Sequence, residues 1–151
     1  MLCREEGRDL SEMQKAGLLK GATLIGLVKE VAPCSTAKTD EELGVAEFQS
    51  DYFPYPLYLD STKGFYSALG DRKITKDLKG SWNPFEVWKG LKSIGTRIKE
   101  KGLEGNMRGE GLVLGGIVVV DTAKSAVKFT YCEETGKEIP KDAISAAVRG
   151  I

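Results

Sequence analysis

Histidine is absent from all 151 residues. Without imidazole there is no Ser-His or Cys-His pair and no histidine-containing metal site. Cysteine is scarce as well: Cys3, Cys34 and Cys132 form an odd, widely spaced set, unlike the dense even pattern of a secreted disulfide scaffold. No two of them stand two to four residues apart, as a zinc site requires, so no metal is expected. The scarcity points to a reducing compartment, the cytoplasm. No apolar run approaches the ~20 residues that cross a bilayer, and no signal or transit peptide is visible; organelle targeting would have to lie upstream of Met1. Charge of one sign is also lacking. Lys plus Arg equals Asp plus Glu at 22 each, so nothing draws the chain to nucleic acid or an anionic membrane. The 102–116 stretch holds six glycines, but neither a GxxxxGK[ST] loop nor a strand-GxGxxG-helix unit is present, and nucleotide binding is not expected.

Chemistry is left to cysteine, carboxylate, lysine, arginine and tyrosine. Cys3 is the leading candidate. It opens an amphipathic helix, where the unpaired N–H groups of the first turn and the neighbouring Arg4 are expected to lower its thiol pKa. Glu5 and Glu6 complement the helix dipole in the same turn; a proton-transfer role near Cys3 is the alternative reading. Cys34, beside Pro33, is an incidental thiol or an auxiliary, resolving one. Cys132 ends a strand as a small, partly buried apolar residue, and Glu133-Glu134 is expected to be a solvated pair.

Helices and strands alternate along the chain, the mark of an α/β layer fold. Cys3 to Leu19 reads as a helix with Leu10, Met13 and Leu18 on its apolar face and Gly21 as its stop. Ala22 to Val28 is a continuous apolar run, as in a strand buried on both faces. Asp40 to Gln49 starts at an Asp cap and reads as a short helix. Pro54 and Pro56 enforce extended geometry before an edge strand, Leu57 to Leu59. From Pro84 to Lys99, Phe85, Trp88, Leu91, Ile94 and Ile98 recur at helical spacing; this is a packed surface helix or, with Trp82, an apolar wall for a lipid-like substrate. Ile117 to Asp121 and Ala126 to Cys132 read as a hairpin, and Pro140 to Arg149 as a last helix.

Several separated segments carry a resemblance. Cys3-Arg4-Glu5-Glu6 matches the second cysteine of a C-x-x-C motif followed by Arg-Glu-Glu. Pro56-Leu57-Tyr58-Leu59-Asp60, followed by Gly64-Phe65-Tyr66-Ser67-Ala68-Leu69-Gly70, looks like a peroxiredoxin-type strand and helix. Gly109-Glu110-Gly111-Leu112-Val113-Leu114-Gly115-Gly116 is similar to a G-E-G-x-x-L-G-G run into a core strand. Together these resemble the peroxiredoxin-like 2 family, AhpC/TSA-type thioredoxin-fold proteins that include the prostamide/prostaglandin F synthases.

The resemblance implies a single thioredoxin-like domain over residues 1–151, a mixed central sheet flanked by helices. The first core strand and the first motif cysteine would lie before Met1, between the neighbours of a sheet that then has a gap. It implies thiol-disulfide chemistry in which a thiolate attacks a peroxide or lipid endoperoxide and an external thiol reductant, such as thioredoxin or glutathione, resets the site, with no bound cofactor. In such motifs the first cysteine is usually the nucleophile, so Cys3 would be the resolving partner, or would act alone as a one-cysteine peroxidase does. Gly115-Gly116 stands where thioredoxins place a cis-proline, as a substrate-facing backbone platform or as a close-packing device. The Pro-x-x-x-Thr-x-x-Cys motif of peroxiredoxins proper is missing. Two readings follow: a redox enzyme impaired by truncation, and a non-catalytic thioredoxin-like domain acting through protein contacts.

Overall fold

The computed structural model describes residues 2–29, 44–72, 96, 99–100, 102, 113–134 and 137–151. The first helix, α1 (Leu2–Lys15), buries charged and polar residues, Arg4, Glu5, Asp9 and Ser11, along with apolar ones. Met13 is buried and Leu10 half-buried, but Leu18 is exposed and Leu19 takes the buried place. The helix ends before Leu18: Gly17 and Gly21 adopt positive φ, and the backbone turns so that Leu19 faces the core.

Only the end of the Ala22 run is a strand. That strand, β1 (Gly26–Val28), is half-buried instead of covered on both faces, and Ile25 just before it is 55% exposed. Its described partner is β2 (Leu57–Leu59), running parallel with Gly26 opposite Leu57 and Val28 opposite Leu59. Among the described residues β1 is bonded to a strand on one side only. Glycine at 26 leaves room for its neighbours: a Cβ there would make the end of the Leu57 side chain move aside and would press on the Phe53 ring.

Between β1 and β2 the chain forms a short helical turn, α2 (Val45–Glu47), continued by a π-helical turn, Phe48–Tyr52. The N–H of Phe53 closes that turn on the Phe48 carbonyl at 2.9 Å. Helix thus runs past the expected end at Gln49, while the expected Asp40 cap lies outside the described residues. After β2, Asp60 caps α3 (Gly64–Ala68), accepting hydrogen bonds from the N–H groups of Gly64 (3.0 Å) and Phe65 (2.8 Å). Cys34, Trp82 and most of the 84–99 stretch also lie outside the described residues; Thr96 and Lys99 are helical.

The hairpin is formed as expected, from β3 (Gly116–Asp121) and β4 (Ala126–Cys132), antiparallel with a bulge between Val119 and Val120. Asp121 is buried at its turn, accepting the Lys124 N–H and facing the ammonium groups of Lys124 and Lys128. Burial opposes the charge of this carboxylate, but those partners outweigh it and its pKa is lowered. The last helix, α4 (Lys141–Arg149), presents Ile144, Ala147 and Val148 at three- and four-residue spacing to the hairpin.

The core is built where α1, α4 and the hairpin meet: Met13, Leu19, Val119, Ile139 and Ile144 are buried together, with Ile117, Phe129 and Tyr131 packed against them. Polar ties hold α1 in its first turn and along its middle. Arg4 donates two hydrogen bonds to the Glu47 carboxylate, at 3.0 and 2.9 Å, with its guanidinium over the Tyr52 ring. Ser11 donates to the carbonyls of Gly7 (2.7 Å) and Tyr52 (2.8 Å), and Lys141 donates to the buried Asp9 at 2.8 Å. Among the described residues the β1–β2 and β3–β4 pairs are separate sheets. No described helix is long and apolar enough to cross a membrane.

Candidate functional site

Four segments converge at one end of these strands: the first turn of α1, the exit of β1 at Lys29, helix α3, and the entry of β3 with the exit of β4. The phenol of Tyr66, on α3, donates to the Leu27 carbonyl at 3.2 Å and lies 5.8 Å from the Lys29 ammonium. Gly115 faces Glu133 across the start of the hairpin. The N–H of Gly115 donates to Glu133 Oε2 at 2.9 Å, and the N–H of Glu133 donates back to the Gly115 carbonyl at 3.0 Å. Arg72, just past α3, donates to the Glu133 carbonyl at 2.9 Å.

The two glycines of the expected platform therefore differ. A Cβ on Gly116 would strike the Tyr131 carbonyl oxygen, so this position serves the close approach of β3 and β4. A Cβ on Gly115 would meet only ordinary contacts, Glu133 Oε2 at 3.7 Å and the Tyr66 ring at 3.8 Å. Gly115 is the one whose backbone looks into the site, and its N–H is engaged by a carboxylate of the same chain.

Cys3 is a free thiol on an exposed residue. Its pKa nevertheless moves opposite to the helix-terminus expectation. Desolvation raises it first, and the charges of Glu133 and Glu6 raise it further, against the weaker pull of the α-amino group and Lys29. The residue is exposed, yet the protein around it still desolvates its thiol. Arg4 does not relieve it, because its guanidinium is committed to Glu47 and Tyr52.

Glu133 corrects a second expectation. It is not a solvated surface residue but 6% exposed, whereas Glu134 is exposed and paired with Lys137. Phe129, Tyr131 and Glu133 alternate onto one face, and the first two pack on the core, so the strand period carries the carboxylate inward. That two-residue period was the available signal. Burial raises the Glu133 pKa, opposed by the Gly115 N–H and by Lys29 and Arg72. Glu6 is pushed up to about 8, by burial first and then by the charges of Glu133, Glu5 and Asp9. Burial thus pushes both carboxyls toward their protonated forms, and the Glu133 charge adds to the shift of Glu6.

Cys132 is half-buried, its Sγ 3.8 Å from the Leu69 carbonyl that accepts its weak hydrogen bond. Cys34 lies outside the described residues. Among the described residues no group of three or more His, Cys, Asp or Glu side chains could hold a metal ion.

Comparison with known proteins gives this arrangement its context. A family model described as AhpC/TSA antioxidant enzyme matches residues 9–135, a span that includes Lys29, Gly115, Gly116 and Glu133 and begins after Cys3 and Glu6. The prostamide/prostaglandin F synthase of Pongo abelii is 32% identical over 148 residues, covering 95% of this chain and 67% of that protein. The human synthase of the same name gives the same values. Peroxiredoxin-like 2A of Xenopus tropicalis is 32% identical over 156 residues, 99% of this chain and 59% of that protein. No solved structure matches the chain. The chain, with its alternating helices and strands and its site at the strand ends, belongs to the AhpC/TSA antioxidant enzyme family and has the thioredoxin-like α/β fold of a peroxiredoxin-like protein.

Proposed function

We propose that the protein is a thiol-dependent peroxidase or reductase in which Cys3 is the reacting group. The observation that carries this reading is the position of Cys3: a free thiol on an exposed residue at the first turn of α1, within electrostatic reach of Lys29 and of the Glu133 held on Gly115, in a chain of an antioxidant family. Sulfur attacks one peroxide oxygen, an S–O bond forms as the O–O bond breaks, and Cys3 becomes a sulfenic acid. A thiol reductant such as thioredoxin or glutathione then attacks the sulfenic sulfur, releases water, and a second thiol reduces the mixed disulfide. The names of the synthase relatives support a lipid endoperoxide as an alternative substrate to a simple peroxide. The activity works through one motif cysteine, in a single thioredoxin-like domain, and in the cytoplasm.

One observation favours a second reading. The raised thiol pKa keeps Cys3 protonated and sluggish at neutral pH, which suits a non-catalytic domain acting through protein contacts. Treatment with hydrogen peroxide followed by sulfenic-acid trapping and mass spectrometry at Cys3, Cys34 and Cys132 separates the two. Selective modification of Cys3 is expected; equal or absent labelling of the three would favour the non-catalytic domain.

A further inference from the structure

We propose that Arg72 is a positioning residue for the candidate site, holding the Gly115 backbone and the Glu133 carboxylate in place against α3 and β1. Among the described residues the β1–β2 and β3–β4 pairs share no ladder, so strand pairing between them does not set the entry of the hairpin against the end of β1. The segment around α3 does. Tyr66 ties it to β1 through the Leu27 carbonyl at 3.2 Å, and Arg72, six residues on, ties it to the hairpin.

The end of α3 is shaped to deliver that side chain. The N–H of Gly70 donates to the Ser67 carbonyl at 2.9 Å and that of Asp71 to the Tyr66 carbonyl at 3.1 Å, the paired bonds of a Schellman turn. Gly70 and Asp71 both adopt the left-handed region, at φ 94° and 48°. For aspartate that conformation is costly, and Ser67 Oγ steadies it by donating to the Asp71 carboxylate at 2.9 Å. Arg72 is the first residue beyond the turn. Leu69, just before it, is buried and already rests on the hairpin: its carbonyl accepts from Cys132 Sγ at 3.8 Å, and its Cδ1 stands 3.0 Å from where a Cβ on Gly116 would be.

Arg72 then bonds to both sides of the hairpin entry. Its own carbonyl accepts the Leu114 N–H at 3.0 Å, and its Nη1 donates to the Glu133 carbonyl at 2.9 Å. Between these two contacts the Glu133 N–H donates to the Gly115 carbonyl at 3.0 Å, so Arg72, Leu114, Gly115 and Glu133 close a ring of hydrogen bonds. Inside the ring the Gly115 N–H meets Glu133 Oε2 at 2.9 Å. A substitution at 72 leaves the backbone bond to Leu114 available and removes the guanidinium arm alone, which frees Glu133 on the side away from Gly115. The bearing of this ring on the reaction rests on the reading proposed above; the placement of Gly115 does not.

Amide-proton NMR tests the placement in the unsubstituted protein, R72M and R72K, with thermal melting to check each fold. Methionine keeps the stem and removes the donor, whereas lysine returns one N–H to the Glu133 carbonyl. In the unsubstituted protein the Gly115 amide proton should stand downfield, as a donor to a carboxylate does. In R72M it should move toward the position of an unbonded amide, and the Gly115 and Glu133 amides should exchange at least about tenfold faster while that of Val119, in the core, is unchanged. R72K should restore both. A Gly115 resonance indifferent to R72M overturns the proposal, as does a loss in R72M that reaches Val119 equally, which a merely stabilising side chain would give, or a failure of R72K to restore the resonance. Should R72M lose its cooperative melt, R72Q, a shorter side chain without the charge, decides by the same criteria. No peroxide reaction at Cys3 in the unsubstituted protein overturns the functional reading alone, because the Gly115 resonance does not depend on it.

Discussion

At the scale of single residues, Glu6 ties the surroundings of Cys3 to stability. Its folded pKa, about 8, is above that of the same carboxyl in the unfolded chain, so the native state holds the proton more tightly. Stability should be fullest in mild acid and should fall as pH rises from about 4.5 to about 8, at up to about 1.4 kcal/mol per pH unit. The raised Cys3 thiol adds a loss of the same sign at still higher pH. Asp60 and Asp121, whose pKa is lowered, act in the opposite sense: their contribution is fully present at neutral pH and is lost only in acid, as they become protonated. Urea melts across this window should show E6Q flattened relative to the unsubstituted protein; parallel curves would place the proton elsewhere. Residue identity alone identified Cys3 as the thiol to watch but gave the wrong direction for its pKa. The sign depends first on desolvation of the thiol in the folded chain, then on Glu133, 130 positions away, and on Arg4 being held by Glu47. Only folding brings those groups together or takes them away.

At the scale of elements, the Gly115-Gly116 step separates function from packing. G116A forces a methyl against the Tyr131 carbonyl and should cost about 1–3 kcal/mol of stability, as overpacking does. G115A meets ordinary contacts and should cost less than about 1 kcal/mol. Paired denaturant melts check the ordering, and an equal loss in both would mean that the strands do not meet as closely as described. The hairpin, the edge strand and the last helix were readable from local pattern, because turn residues and a two- or 3.6-residue period act over a few positions. The extent of β1 was not. An apolar run from Ala22 says that these side chains prefer burial, but strand length depends on which neighbour pairs with them, and Leu57 to Leu59 offers only three positions. In the same way Leu18 and Leu19 compete for one core site, and the turn at Gly17 decides between them.

For the whole molecule, stability is concentrated where α1, α4 and the hairpin meet. Ile144, 2% exposed, should cost about 2–5 kcal/mol when cut to alanine, and Met13 a similar amount. An exposed residue such as Leu18, 45% exposed, should cost far less, which chemical denaturation of the three variants would show. Family membership was readable from the order of several short motifs, because together they specify a fold more narrowly than any of them does singly. The joining of distant parts was not, since Arg4 to Glu47 and Asp9 to Lys141 are ordinary surface pairs until the chain has folded. Those two pairs make α1 a clasp. Its first turn grips the segment leading to β2, and its second grips α4, while Ser11 and Met13, further along the helix, hold the same two sides. In native-state hydrogen exchange, amides of β1–β2 and of the hairpin should each open on their own once α1 frays, and neither pair should outlast it by much. K141A would then loosen exchange at the far end of the clasp, around Phe48 to Tyr52, although Lys141 touches nothing there.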